Sequence, residues 1–427
     1  MLYYENGSPT ADLTTEDLKK GLYEALDKIG KKSKVLAIPP DFTRFPSRAG
    51  EITEAAYHYY GETLTDILPA LGTHNPMTAE QIKCMFGSVP EELFRVHDWR
   101  NDVVTVGEVP AEFVKEVSEG AVDFTWPAQV NKLLLEGNFD LILSIGQVVP
   151  HEVVGMANYN KNIFVGTGGA EGINKSHFVG AAYGMERMMG HADTPVRRIF
   201  NYASDNFTQD MPFLYIQTVV GMEDSGQLKV RGMFIGDDLE VFTKAAALAL
   251  EVNFKMLEKP LNKVIVYLDP EEFTSTWLGN KSIYRTRMAI ADGGELIVVA
   301  PKVVEFGEDK DIDKLIRKYG YKGTPHTLKM VKENEDLAGN LSAAAHLIHG
   351  SSEERFSITY CIGKEAGNLT KEEVESVNFN YGDIDEVKEK YDFDNLKEGY
   401  NTVNGEEIFY ISNPALGLWA FRERFNY

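Results

Sequence analysis

Cysteine is almost missing from this chain: 427 residues contain two, Cys84 and Cys361. So far apart, they form neither a disulfide framework nor a Cys-rich zinc site, which fits a reducing compartment. Long apolar runs are missing as well. No uncharged stretch approaches the ~20 residues that a membrane-spanning helix needs. The start, MLYYENGSPTADLTTEDLKK, has no basic stretch leading into an apolar one, as a secretory leader would. A soluble, cytoplasmic protein without a membrane partner is expected. Positive charge is scarce too: 43 Lys and Arg stand against 65 Asp and Glu, a formal charge of −22. Such a field repels phosphate backbones, so no nucleic-acid partner is expected, and a small acid as substrate would need a local pocket of Lys and Arg. Internal repeats and low-complexity tracts are lacking, and the acidic stretch from Glu386 to Gly399 reads as solvated surface.

What is present is ordinary globular material, 43% hydrophobic and 25% charged, in a chain long enough for two or three domains. Leu18, Leu22, Ala25, Leu26 and Ile29 follow helical spacing, with Thr14 or Thr15 to cap and Gly30 to stop the helix. KVLAI (34–38), TDILPAL (65–71) and FDLILSIG (139–146) read as strands, each running into a polar loop. Thr78 with Gln81 three residues on is a capping box that opens the helix after the second loop. A long Ala- and Leu-rich helix is expected over 242–257, and strands again at NKVIVYLDP, ELIVVAP and RFSITYCIG. Strands alternating with helices imply parallel βαβ units, whose ligands gather beyond the carboxyl ends of the strands. The expected fold is α/β, with two α/β domains (1–260 and 261–427), mainly parallel sheets and an active cleft between them.

Chemistry-bearing residues concentrate in three loops. PPDFTRFPS offers Asp41, Thr43 and Arg44 between stiffening prolines; the guanidinium could hold a carboxylate or phosphate bidentately, or Asp41 and Arg44 could simply brace the turn. GTHNPMT places His74 between a strand end and a capped helix, where an imidazole can take and return a proton near neutrality. From Pro150 to Gly180, helix and strand periodicity lapse and a loop is expected. In it Lys161 follows His151 by ten residues and His177 follows Lys161 by sixteen. The GTGGAEG run (166–172) lacks the G-x-G-x-x-G spacing, and no helix is expected directly behind it, so as a phosphate cradle it is weak. His151 and His177 lack the close pairing of a zinc site. His346 and His349 share a helix face and could be a ligand pair, or belong to a helix packed by its alanines. His97 beside Asp98 is equally open, and His58, His191 and His326 carry no signal.

Taken together, DFTRFP (41–46), GTHNPMT (72–78), HEVVG leading to Lys161, and His177 resemble the nickel-dependent lactate racemase family in order and spacing. That family's cofactor is nickel(II) pyridinium-3,5-bisthiocarboxylic acid mononucleotide, a nickel-pincer nucleotide joined to a lysine. The resemblance implies attachment at Lys161, His177 as the protein ligand to nickel, and help from Asp41, Phe42, Thr43 and Arg44 in holding cofactor and substrate carboxylate. It implies His74 and His151 as the acid/base pair for inversion at C2 of a 2-hydroxy acid. The partners it implies are that acid and the enzymes that build the cofactor.

The chain departs from the family in two places. Ala157-Asn158-Tyr159-Asn160 stand where Ser-Gly-Gly usually precedes the lysine. In GNKSIYRTRMAI, Ile283-Tyr284 is kept while Lys281 takes the Gln position, Met288 takes the Lys position, and Arg285 and Arg287 are added. With no narrowing tryptophan near NLSAAAHLIHG, a polyhydroxy acid such as D-gluconate or D-mannonate is expected over lactate, gripped by Arg44, Lys281 and Arg285. A metal-dependent sugar-acid hydro-lyase and a non-catalytic binder of small acids are the alternatives.

Overall fold

A computed structural model describes residues 1–223, 227–307 and 309–425. The chain is α/β and divides into two compact units, Met1–Val179 with Met188–Asn253, and Gly180–Arg187 with Phe254–Tyr427. Each carries a six-stranded, mixed, mainly parallel sheet. Among the described residues no helix is long and apolar enough to cross a membrane.

In the first unit the strand order is Leu2–Gly7, Leu228–Gly236, Phe213–Met222, Leu141–Gln147, Val35–Ile38, Leu64–Ile67. The last four are mutually parallel and the first two pair antiparallel. Because side chains alternate along a strand, Leu141, Leu143 and Ile145 with Leu214 and Ile216 build one core, shared with the helices Thr15–Ile29 and Ala49–Tyr60. Leu18, Leu22, Ala25 and Leu26 are buried there, as their spacing predicts. Thr14 closes a capping box with Asp17, and Gly30 ends the helix at φ 85°. The opposite face of the same strands presents Ser144, Gly146, Tyr215 and Gln217, and it is this face that receives the segment around Lys161. The Asn162 amide donates to Ile38 O and Ser144 Oγ, both at 3.1 Å. A Cβ on Gly146 would lie 2.8 Å from Asn158 Nδ2, so only glycine leaves that amide its place.

Three elements differ from expectation. The second strand is regular only to Ile67; Leu68 N and Ala70 N still donate to Ala37 O and Pro39 O at 2.8 Å, and Gly72 then turns the chain at φ 56°. The helix read over 242–257 spans Leu239–Asn253, while Phe254–Leu257 pairs as a strand with Leu418–Phe421, a tertiary choice that helical propensity does not reveal. The stretch from Pro150 to Gly180 is ordered rather than looped. It holds the hairpin of Pro150–His151 with Gly155–Met156, a π-helical turn over Asn162–Gly166, and the helix Ala170–Tyr183.

The second unit orders its strands Asn380–Tyr381, Ser357–Ile362, Ile290–Ala300, Leu261–Tyr267, Glu406–Ile411, Gly399–Val403, all parallel except the last pair. Its helix Leu341–His349 is buried along most of its length, His346 and His349 included. His346 Nε2 lies 3.0 Å from Tyr321 Oη and 3.3 Å from Asn280 Nδ2. Burial, with His349 beside it, pushes its pKa down to about 3. His346 is therefore a neutral hydrogen-bonded part of the core rather than half of a ligand pair on a partly exposed helix.

Candidate active site

The hairpin that carries His151 turns through Gly155 (φ 81°), where a Cβ would lie 2.1 Å from the carbonyl oxygen of His191. The turn fixes the imidazole: Val153 N–H donates to His151 Nδ1 at 3.1 Å, which leaves the proton of the neutral ring on Nε2. Just before Lys161, Asn158 (φ 66°) and Tyr159 (φ 58°) both occupy the left-handed region. Asparagine tolerates this conformation, whereas for tyrosine it costs roughly 1–2 kcal/mol. The Tyr159 ring is held by Tyr215 at 4.3 Å and Phe242 at 5.4 Å between centroids. Packing thus maintains here a backbone that glycines would adopt freely.

Arg197 locks the same segment from the helix Pro195–Phe207. Buried to 1% exposure, it donates to Asn160 Oδ1, to Met156 O at 2.7 Å and to Asn158 O at 3.2 Å, and its guanidinium lies 4.1 Å from the Phe242 ring. Burial pushes its pKa down to about 9. The sequence reading missed this residue. Its signal was a charged position flanking the apolar stripe Val196, Ile199, Phe200 and Ala203.

Lys161, His151, His177 and Arg44 come within electrostatic reach of one another. Burial, followed by the Arg44 charge, brings the Lys161 amine down to about 8. Burial places His151 well below its usual range; Glu152 opposes that shift, while Lys161, Arg44 and His177 add to it. His177 is lowered by burial and by Lys161, although its bond to Ile173 O and the charge of Glu152 work the other way. Glu152 acts on all three groups, with a carboxylate oxygen 3.9 Å from His151 Nδ1, and the sequence reading passed it over.

Asp41 caps the 3-10 turn Phe42–Ser47, accepting from Thr43 N at 3.0 Å, from the Thr43 hydroxyl and from His74 Nδ1. Burial would raise its pKa, but the His74 and Thr43 contacts outweigh that and hold it below the ordinary carboxylate range. Asp41 therefore pairs with His74 rather than with Arg44. With Nδ1–H given to a carboxylate, His74 keeps the lone pair on Nε2. Gly72 N–H donates to Gly166 O at 2.8 Å, which ties the His74 loop to the turn that follows Lys161. Thr43 and Arg44 are exposed, and the Phe42 ring rests 5.5 Å from that of Phe45.

The glycine run leads straight into the helix beginning at Ala170, contrary to the sequence reading, and its glycines serve close packing. A Cβ at Gly168 would sit 1.9 Å from Phe164 O and one at Gly169 2.5 Å from Gln129 Oε1. His97 Nε2–H donates to Gly168 O at 3.0 Å while its Nδ1 accepts from Asn131 at 2.9 Å; Trp126 Nε1 donates to Gly172 O at 2.9 Å. His97 is thus a brace for the run, and it lies outside the charged cluster around Lys161.

His177 stands one turn beyond Ile173 and donates Nδ1–H to its carbonyl at 2.7 Å, so that Nε2 presents a lone pair. A backbone carbonyl holding the far nitrogen is the usual support of a metal-binding imidazole. Among the described residues no three His, Cys, Asp or Glu side chains form a ligand set. A metal at His177 would take its remaining donors from a bound group. An amine brought down to about 8 at Lys161 and a neutral imidazole at His177 fit a lysine-tethered pincer of soft donors around nickel. The remaining two candidates lie in the second unit: Lys281 Nζ sits 5.4 Å over the Phe273 ring, and buried Arg285 donates to Gly417 O at 3.2 Å.

Residues 20–188 match the family model of the lactate racemase N-terminal domain. A crystallised Thermotoga maritima protein aligns over 98% of this chain and 100% of its own, with TM-score 0.81 and 26% identity. The lactate racemase apoprotein of Thermoanaerobacterium thermosaccharolyticum shares the fold over 96% of this chain and 93% of its own, with TM-score 0.71 and 18% identity. No curated protein matches the chain by sequence.

Proposed function

We propose an activity that starts from kinship: the chain belongs to the lactate racemase family, whose N-terminal domain it carries over residues 20–188, and it acts as a racemase or epimerase inverting C2 of a 2-hydroxy acid. The observation that carries this reading is the cluster itself, a lysine amine brought to about 8 among two imidazoles and a guanidinium. Lys161 would tether the nickel-pincer nucleotide and His177 Nε2 would ligate the nickel, with Asp41, Phe42, Thr43 and Arg44 lining the cofactor and carboxylate side. When bound, that group supplies the acceptor that takes and returns the hydride of C2.

The chain's own part is proton handling. His74, backed by Asp41, offers a bare Nε2 that removes the hydroxyl proton, and Asp41 stabilises the imidazolium formed. His151 offers Nε2–H, a neutral donor able to polarise the oxygen of a 2-keto acid. Inversion needs one such group for each configuration. The resting pair is unequal, with His74 as base and His151 as donor; for turnover in the opposite sense His151 gives up the proton on Nε2 and takes one on Nδ1, so its bond from Val153 N–H must open. Arg44 would hold the substrate carboxylate in a fork.

For substrate we propose a polyhydroxy acid such as D-gluconate or D-mannonate. Support comes from Lys281 at the Gln position of the lactate pattern and the added Arg285, since added hydroxyls need added hydrogen-bonding partners. Intact mass and nickel content of the chain, co-produced with the cofactor-building enzymes, test the reading. Expected are a mass increment on Lys161 and bound nickel, both lost in Lys161→Ala; an unmodified Lys161 without nickel sinks it. Retention of a C2 deuteron in the epimerised product, screened over four- to six-carbon hydroxy acids, checks hydride transfer and the substrate together.

A further inference from the structure

The second unit contains a cavity of about 210 Å³ that the proposed chemistry does not use, lined among others by Arg187, Arg287, Arg355, Glu186, Thr324 and Glu353. Arg287 is buried to 4% exposure, yet its Nη1 has no hydrogen-bond partner. An unpaired guanidinium nitrogen at such depth costs free energy unless an acceptor reaches it. The surrounding acids are already engaged. Glu186 Oε1 accepts from Arg287 Nε at 3.2 Å and from Arg355 Nη1. Glu353 is taken by Thr324 N at 2.9 Å, by the Thr324 hydroxyl at 2.7 Å and by Ser351 Oγ at 2.9 Å, at the start of the helix Thr324–Glu333. Asp292, on an exposed position, accepts from Arg355 Nε and Arg424 Nη2, both at 2.9 Å.

We propose that this cavity binds the oxyanion group of a small metabolite, a phosphate or a carboxylate, with Arg287 Nη1 as its innermost donor and Arg187 at its side, while Arg355, whose N–H groups go to Asp292, Glu186, Arg287 O and Ile290 O, contributes charge alone. Arginine suits the task because its rigid fork offers parallel N–H donors to a planar or tetrahedral oxyanion. Arg187 is exposed, its guanidinium lying 3.8 Å from the Tyr183 ring and donating to Tyr183 Oη at 2.7 Å, and an anion would have to draw it from that surface contact. The proposal concerns the second unit alone and does not depend on the racemase reading.

Calorimetric titration of the full chain with inorganic phosphate, and separately with malonate, tests it and tells the two oxyanion sources apart. Saturable binding of at least one is expected, weakened at least tenfold in Arg287→Met and in Arg187→Ala, and unchanged in Arg100→Ala, which removes an exposed guanidinium of the first unit. Arg187→Ala changes an exposed side chain and keeps the test valid should Arg287→Met fail to fold. Absence of saturable binding by either anion overturns the proposal. So does binding that Arg44→Ala abolishes while Arg187→Ala leaves it intact.

Discussion

Lys161 should be the most reactive amine of the protein before any cofactor is attached. Its pKa falls from 10.5 to about 8. At pH 7 about one Lys161 in ten is then neutral, against about three in ten thousand for an ordinary lysine, a gain of roughly 300-fold in the nucleophilic form. Pulsed acylation of the apo chain across pH 6.5–10.5, read at each lysine by peptide mass spectrometry, measures this directly. The Lys161 peptide should reach half-maximal rate near pH 8, while exposed lysines rise two units or more later. After burial, the Arg44 charge is the largest cause of the shift, so Arg44→Ala should move the midpoint upward. A Lys161 that titrates with the surface lysines, or a midpoint indifferent to Arg44, would refute the account of how the tether is activated.

Three further outcomes follow from the same geometry. His151 and His177 both have folded pKa values below the unfolded ones, so the unfolded chain binds more protons as the pH drops through about 6.5; denaturant midpoints of the apo protein should decline from pH 7.5 to 5, less so in His151→Gln and His177→Gln, and a flat profile contradicts their burial. Arg197→Met strands three oxygen acceptors and should lose about 3 kcal/mol or more by urea unfolding, with a loss below 1 kcal/mol counting against the clamp. In the loaded enzyme, His74→Gln and His151→Gln should each slow epimerisation roughly 10²–10⁴-fold while intact mass still shows the Lys161 adduct. Single-turnover oxidation should fail with opposite configurations in the two variants, and equal effects on both configurations would argue against unequal roles.

Much of the site could be read in the chain because strand ends and capping residues announce loops. The capping box of Thr78 with Gln81 marks where the loop carrying His74 ends, and the ten- and sixteen-residue spacings group His151, Lys161 and His177, which lie within electrostatic reach of one another. What stayed hidden depends on tertiary contact. Nothing local says that Asp41 turns to His74 thirty-three residues on rather than to neighbouring Arg44. The Pro150–Gly180 stretch looked irregular because its glycines are spent on close approach to Phe164 O and Gln129, which suppresses the periodicity that burial normally writes. For His97 and His346 the sequence leaves a reactive and a structural role open. A single sequence shows which side chains can titrate, but not that Asn131 and Gly168, or Tyr321, already occupy them.

The Arg197 clamp also ties the Lys161 segment to a distant stretch of the chain. The carbonyls of Met156 and Asn158 and the side chain of Asn160 have their buried partner on a helix some forty residues further along the chain. The left-handed step at Asn158–Tyr159 therefore depends on the Pro195–Phe207 helix for its buried donors, and so does the position of Lys161 just after it. Without that helix the carbonyls of Met156 and Asn158 and the side chain of Asn160 lose the guanidinium they share.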